Sequence, residues 1–231
     1  MKFSFLVPSF QEEAWIADCI GALRASCRAV DAECEVIVCD GGSLDDTRLI
    51  ASNLGAKVVV SRRGRALQIN RGFEAATGDV IVMLHADCLL TPGVIRAMSE
   101  AIRAGVVGGW SQVEVLPERG RSPNLLRVMA WGINLRTRHF HTATADQAIF
   151  ADRRAFEEVG GVPELALMEG LEFVRRIQTL GRTATLSAKV RISGRRWERG
   201  GVIRTMLKMY AIRIGYASDV EMTELLELWE S

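Results

Sequence analysis

Lysine is almost missing from this sequence. Of its 29 basic residues, only Lys2, Lys57, Lys189 and Lys208 are lysine, and the other 25 are arginine. No apolar run approaches the roughly 18–20 residues of a membrane-spanning helix. The N-terminal apolar stretch soon meets Pro8, Glu12 and Glu13, too early for a secretory signal, so a cytoplasmic chain is expected. The five cysteines (Cys19, Cys27, Cys34, Cys39, Cys88) contain no C-x-x-C pair, which argues against a zinc site or a disulfide framework. No G-x-G-x-x-G follows the first apolar run and no G-x-x-x-x-G-K-[ST] occurs, so nicotinamide and P-loop chemistry are disfavoured. A net charge of +1 with 48% hydrophobic residues excludes disorder and gives no footprint for nucleic acid.

What is present is an alternation of short apolar runs with helical periodicity. The pattern predicts strands at Phe3–Val7, Glu35–Cys39, Lys57–Val60 and Asp79–Leu84. Between and after them it predicts helices at Glu12–Arg28, Asp45–Leu54 and Arg65–Ala76, and one from Pro92 to Arg103. Ser43 and Asp46 have the spacing of a capping box. The second half is less regular, with strands expected at Val106–Val115, Gln147–Ala151 and Thr183–Val190. Helices are expected there at Asn124–Thr137, Glu169–Leu180, Val202–Tyr216 and Met222–Glu230. This is an α/β chain, a mostly parallel Rossmann-like sheet with helices on both faces. It reads as one domain over 1–231, with a nucleotide-binding half (1–105), an acceptor and catalytic half (106–200) and C-terminal helices (201–231).

Ligands of open parallel sheets bind beyond the carboxyl ends of the strands. There the sequence offers Pro8-Ser9-Phe10-Gln11-Glu12, Asp40-Gly41-Gly42-Ser43, Arg62-Arg63-Gly64-Arg65 and His85-Ala86-Asp87. Acids, glycines and arginines on one rim suit a nucleotide diphosphate with a divalent cation. The arginine excess itself has two readings, codon usage or forks for phosphate.

Val7-Pro8-Ser9-Phe10-Gln11-Glu12-Glu13, Val38-Cys39-Asp40-Gly41-Gly42-Ser43 and Asp46-Thr47 resemble the opening motifs of family 2 GT-A glycosyltransferases. Four later segments (63–70, 84–87, 146–150 and 193–198) resemble one bacterial subgroup of that family, the radical-SAM/selenodomain-associated transferase 2 group. The resemblance implies a GT-A fold and metal-dependent, inverting transfer from a nucleotide-diphosphate sugar to an acceptor hydroxyl on a small molecule or lipid. Pro8, Ser9, Glu12, Asp40 and Gly42 would line base and ribose, and Arg63, Gly64, Arg65, Gln68 and Ala86 would run beside the nucleotide. Asp87 would hold Mn²⁺ or Mg²⁺, with His85 in an orienting role. Arg195 and Arg196 would clamp diphosphate or an acidic acceptor. Trp197 would offer a sugar-stacking face, or else anchor the last helices.

The general base departs from the pattern. Inverting members use the Asp of a Glu-Asp pair, and here Gly170 follows Glu169. Glu169 is the nearest carboxylate and is taken as base, with Asp146 and Glu172 as alternatives. A chain that binds nucleotide sugar without transferring it is the rival reading, and a nucleotidyltransferase is a third. His139 and His141 border the same region or are simply exposed. The helix over 202–216 carries Ile203, Met206, Leu207, Tyr210 and Ile214 at core spacing among basic residues. That pattern suits packing on the domain, a homodimer, or the inner membrane face.

Overall fold

The computed structural model describes residues 1–117 and 123–230. Its first half alternates as the periodicity predicts: β1 (Lys2–Ser9), α1 (Ile16–Arg28), β2 (Glu33–Asp40), α2 (Thr47–Asn53), β3 (Lys57–Val60), α3 (Arg65–Glu74) and β4 (Val80–Met83). The second half holds β5 (Cys88–Leu89), α4 (Pro92–Arg103), β6 (Gly108–Leu116), α5 (Pro123–Phe140), a 3-10 turn (Ala145–Gln147), β7 (Ile149–Asp152), α6 (Arg153–Glu158) and α7 (Glu169–Leu180). It closes with β8 (Thr183–Ser193), α8 (Arg195–Gly200), α9 (Val202–Ala217) and α10 (Met222–Glu230).

The strands form one sheet in the order β3-β2-β1-β4-β7-β6-β8-β5. The first four are parallel, with Val7 opposite Val38 and Phe5 opposite Val82. Side chains alternate across each strand. Phe3, Phe5 and Val7 enter the cluster under α1, α4 and α5, while Leu6 enters the opposite cluster with Ile37, Ile81, Phe156 and Phe173. Both faces are therefore covered. That is why these strands read as continuous apolar runs and not as alternating ones.

Several expectations need correction. β7 lies antiparallel between β4 and β6, and β5 pairs antiparallel with β8, so the parallel pattern stops at β4 apart from the β6–β8 pair. Strand β1 runs two residues further than predicted and includes Pro8 and Ser9. The predicted capping box does not form, because the Ser43 hydroxyl is engaged by Asp40 and α2 begins only at Thr47. The outward stripe of α9 is also reversed. Val202, Thr205 and Ile212 are its buried positions, while Ile203, Leu207, Tyr210 and Ile214 face solvent. Among the described residues no helix is long and apolar enough to cross a membrane.

Candidate active site at the carboxyl ends of the sheet

The site begins with the turn after β2. Asp40 is wholly buried, and one carboxylate oxygen accepts from the backbone N–H of Gly42 (3.0 Å) and Ser43 (2.9 Å). Its other oxygen accepts from the Ser43 hydroxyl, which in turn accepts from the Gln11 backbone N–H at 2.9 Å. Gly42 has φ +91°, a conformation that disfavours a side chain. Asp40 therefore shapes the turn from within.

Gln68, from the first turn of α3, braces the strand ends. Its amide nitrogen donates to the carbonyls of Ser9 (2.8 Å) and Cys39 (2.6 Å), and its oxygen accepts from the Gly64 N–H at 3.2 Å. It is buried among these bonds. Arg63 is exposed and lies 4.3 Å above the Phe10 ring. Ala86 is buried between His85 and Asp87.

Arg195 bridges the two acids expected to meet the donor. Its Nη2 is 2.8 Å from Glu12 Oε1, and its Nε is 3.0 Å from Asp87 Oδ2. The guanidinium also lies 5.2 Å over the Trp15 ring. Two features place it there: β5 pairs with β8 beside Asp87, and the Ser193 N–H donates to the Asp87 carbonyl. The second oxygen of Glu12 is buried with no partner. Burial, followed by the positive charges of Arg65, Arg196 and Arg195, pushes the His85 imidazole down to about 3 against the pull of Asp146. His85 is neutral and can accept or donate a hydrogen bond. Trp15 was not foreseen; its apolar spacing in the sequence gives no sign that it sits under an arginine.

The candidate bases differ in how they are held. Glu169 is buried and ion-paired, with Arg65 Nε 2.7 Å from Oε1. Its carboxylate is thus committed to Arg65 in this arrangement. Glu172 is half-buried, within 3.7 Å of both Arg175 and Arg176, and accepts from the Tyr216 hydroxyl at 3.4 Å. Asp146 has a buried oxygen with no partner. It rides on the 3-10 turn, which Gln147 holds by donating to the Ser111 carbonyl at 3.0 Å and accepting from the Thr144 N–H at 3.0 Å. Gly170 faces this turn: a Cβ there would lie 3.2 Å from the Ala145 nitrogen. The missing side chain thus lets the Asp146 turn approach α7.

Arg196 lies 4.9 Å over the Trp229 ring, and Trp197 is buried with an unpartnered Nε1. Trp197 anchors the C-terminal helices and does not present a stacking face. His139 and His141 are exposed.

Comparison with known proteins bears on the family and the fold. Residues 4–160 match the profile described as Glycosyl transferase family 2. An undecaprenyl-phosphate 4-deoxy-4-formamido-L-arabinose transferase of Aeromonas hydrophila is 36% identical over 115 residues, which cover 46% of this chain and 35% of that protein. The chain spans about a third of the length of the curated relatives it matches. The S. aureus TarS fragment 1–349 in complex with UDP-GlcNAc superposes with a TM-score of 0.65 at 19% identity, covering 84% of this chain and 58% of that one. Glucosyl-3-phosphoglycerate synthase from Mycobacterium tuberculosis, solved with Mn²⁺, UDP and glucosyl-3-phosphoglycerate, gives a TM-score of 0.57 at 22% identity, covering 81% and 70%. These neighbours share the expected GT-A fold, and the chain belongs to glycosyl transferase family 2.

Proposed function

We propose that this chain transfers a glycosyl group from a nucleotide-diphosphate sugar to an acceptor oxygen with inversion. The observation that carries this is the convergence of Glu12, Asp87 and Arg195 where β1 and β4 end. The Glu12 oxygen without a partner suits a base or ribose donor group. Arg195, beside the acid after β4, suits a diphosphate. In the displacement the acceptor oxygen bonds to the anomeric carbon and the bond to diphosphate breaks on the opposite face. The acceptor hydroxyl proton passes to Asp146, whose buried oxygen is unpartnered.

A divalent cation, Mn²⁺ or Mg²⁺, belongs to this reading, and a neighbour of the same fold was solved with Mn²⁺. Among the described residues no three ligating side chains gather, so an all-protein metal cage does not fit. One carboxylate, Asp87, does fit a cation held mainly by substrate phosphates and water. Burial raises the neighbouring Cys19 and Cys88 thiols. When bound, the cation would act as a Lewis acid on the leaving diphosphate.

Calorimetry with UDP and GDP plus Mn²⁺ tests the donor site. Binding that disappears in Asp87→Ala is expected; no binding, or binding indifferent to that change, overturns the reading. The rival of a binder that no longer transfers draws on Gly170 and the pairing of Glu169 with Arg65. Donor hydrolysis in the wild type that is lost in Asp146→Asn argues against it. Family membership favours glycosyl transfer over the nucleotidyl transfer weighed from sequence. The outward stripe of α9 supports peripheral contact with a membrane or a second copy, on the cytoplasmic side in the first case.

A further inference from the structure

At the amino end of the sheet, away from the candidate site, two cysteines meet across the turn that joins α1 to β2. Cys27 lies in the last turn of α1, and Cys34 is the second residue of β2. The chain between them reverses tightly. The Cys27 carbonyl accepts from the N–H of Val30 (3.1 Å) and of Ala32 (3.0 Å), and Asp31 takes φ +52°. Strand pairing then fixes Cys34 opposite Phe3. Held from both sides, the Cys27 thiol donates a hydrogen bond to the Cys34 sulfur. Cys27 is 1% exposed and belongs to the core cluster under α1, while Cys34 is half-buried and packs against that cluster.

The surroundings give the two sulfurs different parts. Arg24 is anchored by donating to the carbonyls of Leu54 and Gly55, the latter at 2.8 Å. The Cys27 hydrogen bond, then the charges of Arg24 and Arg28, hold the Cys34 thiol down to about 7 against burial and Glu33. The same hydrogen bond, followed by burial, raises the Cys27 thiol. One sulfur is thus a nucleophile near neutral pH, and the sulfur beside it keeps its proton. Cys19, Cys39 and Cys88 are wholly buried, and burial raises each of them. Of the five cysteines, this pair alone joins partial exposure to a second sulfur in hydrogen-bond contact.

We propose that Cys27 and Cys34 are a redox pair that reduces hydrogen peroxide and closes to an intramolecular disulfide. The Cys34 sulfur attacks one peroxide oxygen, the O–O bond breaks, and the departing hydroxide takes a proton from solvent and leaves as water. Cys34 then carries a sulfenic acid. The Cys27 sulfur displaces the hydroxyl of that acid, and the Cys27 proton leaves with it as a second water. The two thiols give up two electrons and the peroxide receives them. A small-molecule thiol restores the pair by exchange.

The test treats the whole protein with hydrogen peroxide, alkylates it and maps tryptic peptides without reductant. Trypsin cuts after Arg28, so the expected link joins peptides 25–28 and 29–48. Fragmentation must place the bond at Cys34, because Cys39 shares the second peptide. The link should be reversed by dithiothreitol, and Cys34 should be oxidised about tenfold or more faster than Cys19, Cys39 and Cys88. Cys27→Ser should abolish the link and leave a Cys34 sulfenic acid that dimedone traps, and Cys34→Ser should abolish both. A link through Cys39, links only between two molecules, no link, or a Cys34 no faster than the buried thiols overturns the proposal. Should Cys27→Ser fail to fold, as judged by circular dichroism, the wild-type map and Cys34→Ser decide.

Discussion

At the residue scale, the site is a set of charges whose partners decide their roles. Glu12 and Asp87 share Arg195, so removing that cation leaves two carboxylates facing one another. Arg195→Ala is expected to bind Mn²⁺ alone more tightly than the wild type, because the arginine no longer competes for Asp87; titration with Mn²⁺ in the absence of nucleotide checks this. Glu169 and Asp146 separate in the same way. Asp146→Asn should lower transfer by about 10²–10⁴-fold with little change in stability, as a lost proton acceptor would. Glu169→Leu should instead lower stability by about 1–3 kcal/mol, read by urea denaturation. That is less than the loss for a fully buried pair, because Arg65 is 33% exposed and can rehydrate. Gly170→Asp brings a Cβ to 3.2 Å from the Ala145 nitrogen, so the expected result is a lower melting temperature and no gain in transfer. Cysteine chemistry gives a check outside the site. The neighbouring Cys27 thiol, then Arg24 and Arg28, hold the Cys34 thiol down to about 7 against its partial burial. Cys34 should therefore be alkylated first, in its thiolate form, while buried Cys19, Cys39 and Cys88 stay protonated. The candidate residues were legible as types in the sequence, but their pairings were not. Glu12 and Arg195 are 183 residues apart, and nothing local couples them.

At the element scale, the readable parts are those where local pattern and tertiary role coincide. Strands β1, β2 and β4 are buried on both faces, so their apolar runs stand out. Strand β5 has two residues, too few to carry a period, and although a strand at β7 was legible, its direction depends on which strands flank it. Glycine permits that crowding: a Cβ on Gly108 would meet the Phe150 carbonyl at 2.6 Å, and one on Gly109 would overlap the Ala184 carbonyl. Gly109→Ala is expected to disrupt both ladders of β6 and leave little soluble folded protein, whereas Gly132→Ala, with open space around it inside α5, should fold and melt slightly above the wild type, by up to about 1 kcal/mol of added stability. The brace at Gln68 was singled out from sequence for a different reason, its place beside the nucleotide. Its hydrogen bonds instead tie the ends of β1 and β2 to α3.

At the scale of the whole molecule, the apolar surface is uneven. Ile203, Leu207 and Ile214 of α9 are 63–66% exposed, and Trp131 of α5 is 66% exposed. Leu207→Glu should leave the melting temperature within error while reducing sedimentation with anionic vesicles, or self-association seen by light scattering. The near-zero net charge is a sum of separate regions. Eight bases and one acid lie between Lys189 and Arg213, and five acids with no base follow Ala217. Four features were decided by the sequence alone: the fold class, the alternation of the first half, the family and the rim on which acids and arginines gather. Each depends on periodicity, short motifs or composition, which are local properties of a chain. The tertiary structure decided which carboxylates are ion-paired, and where Arg136 and Arg213 each keep one buried N–H without a partner. It also decided which face of α9 looks outward. Those depend on burial and on charges brought together from distant segments, and a linear order of residues does not encode either until the core has packed.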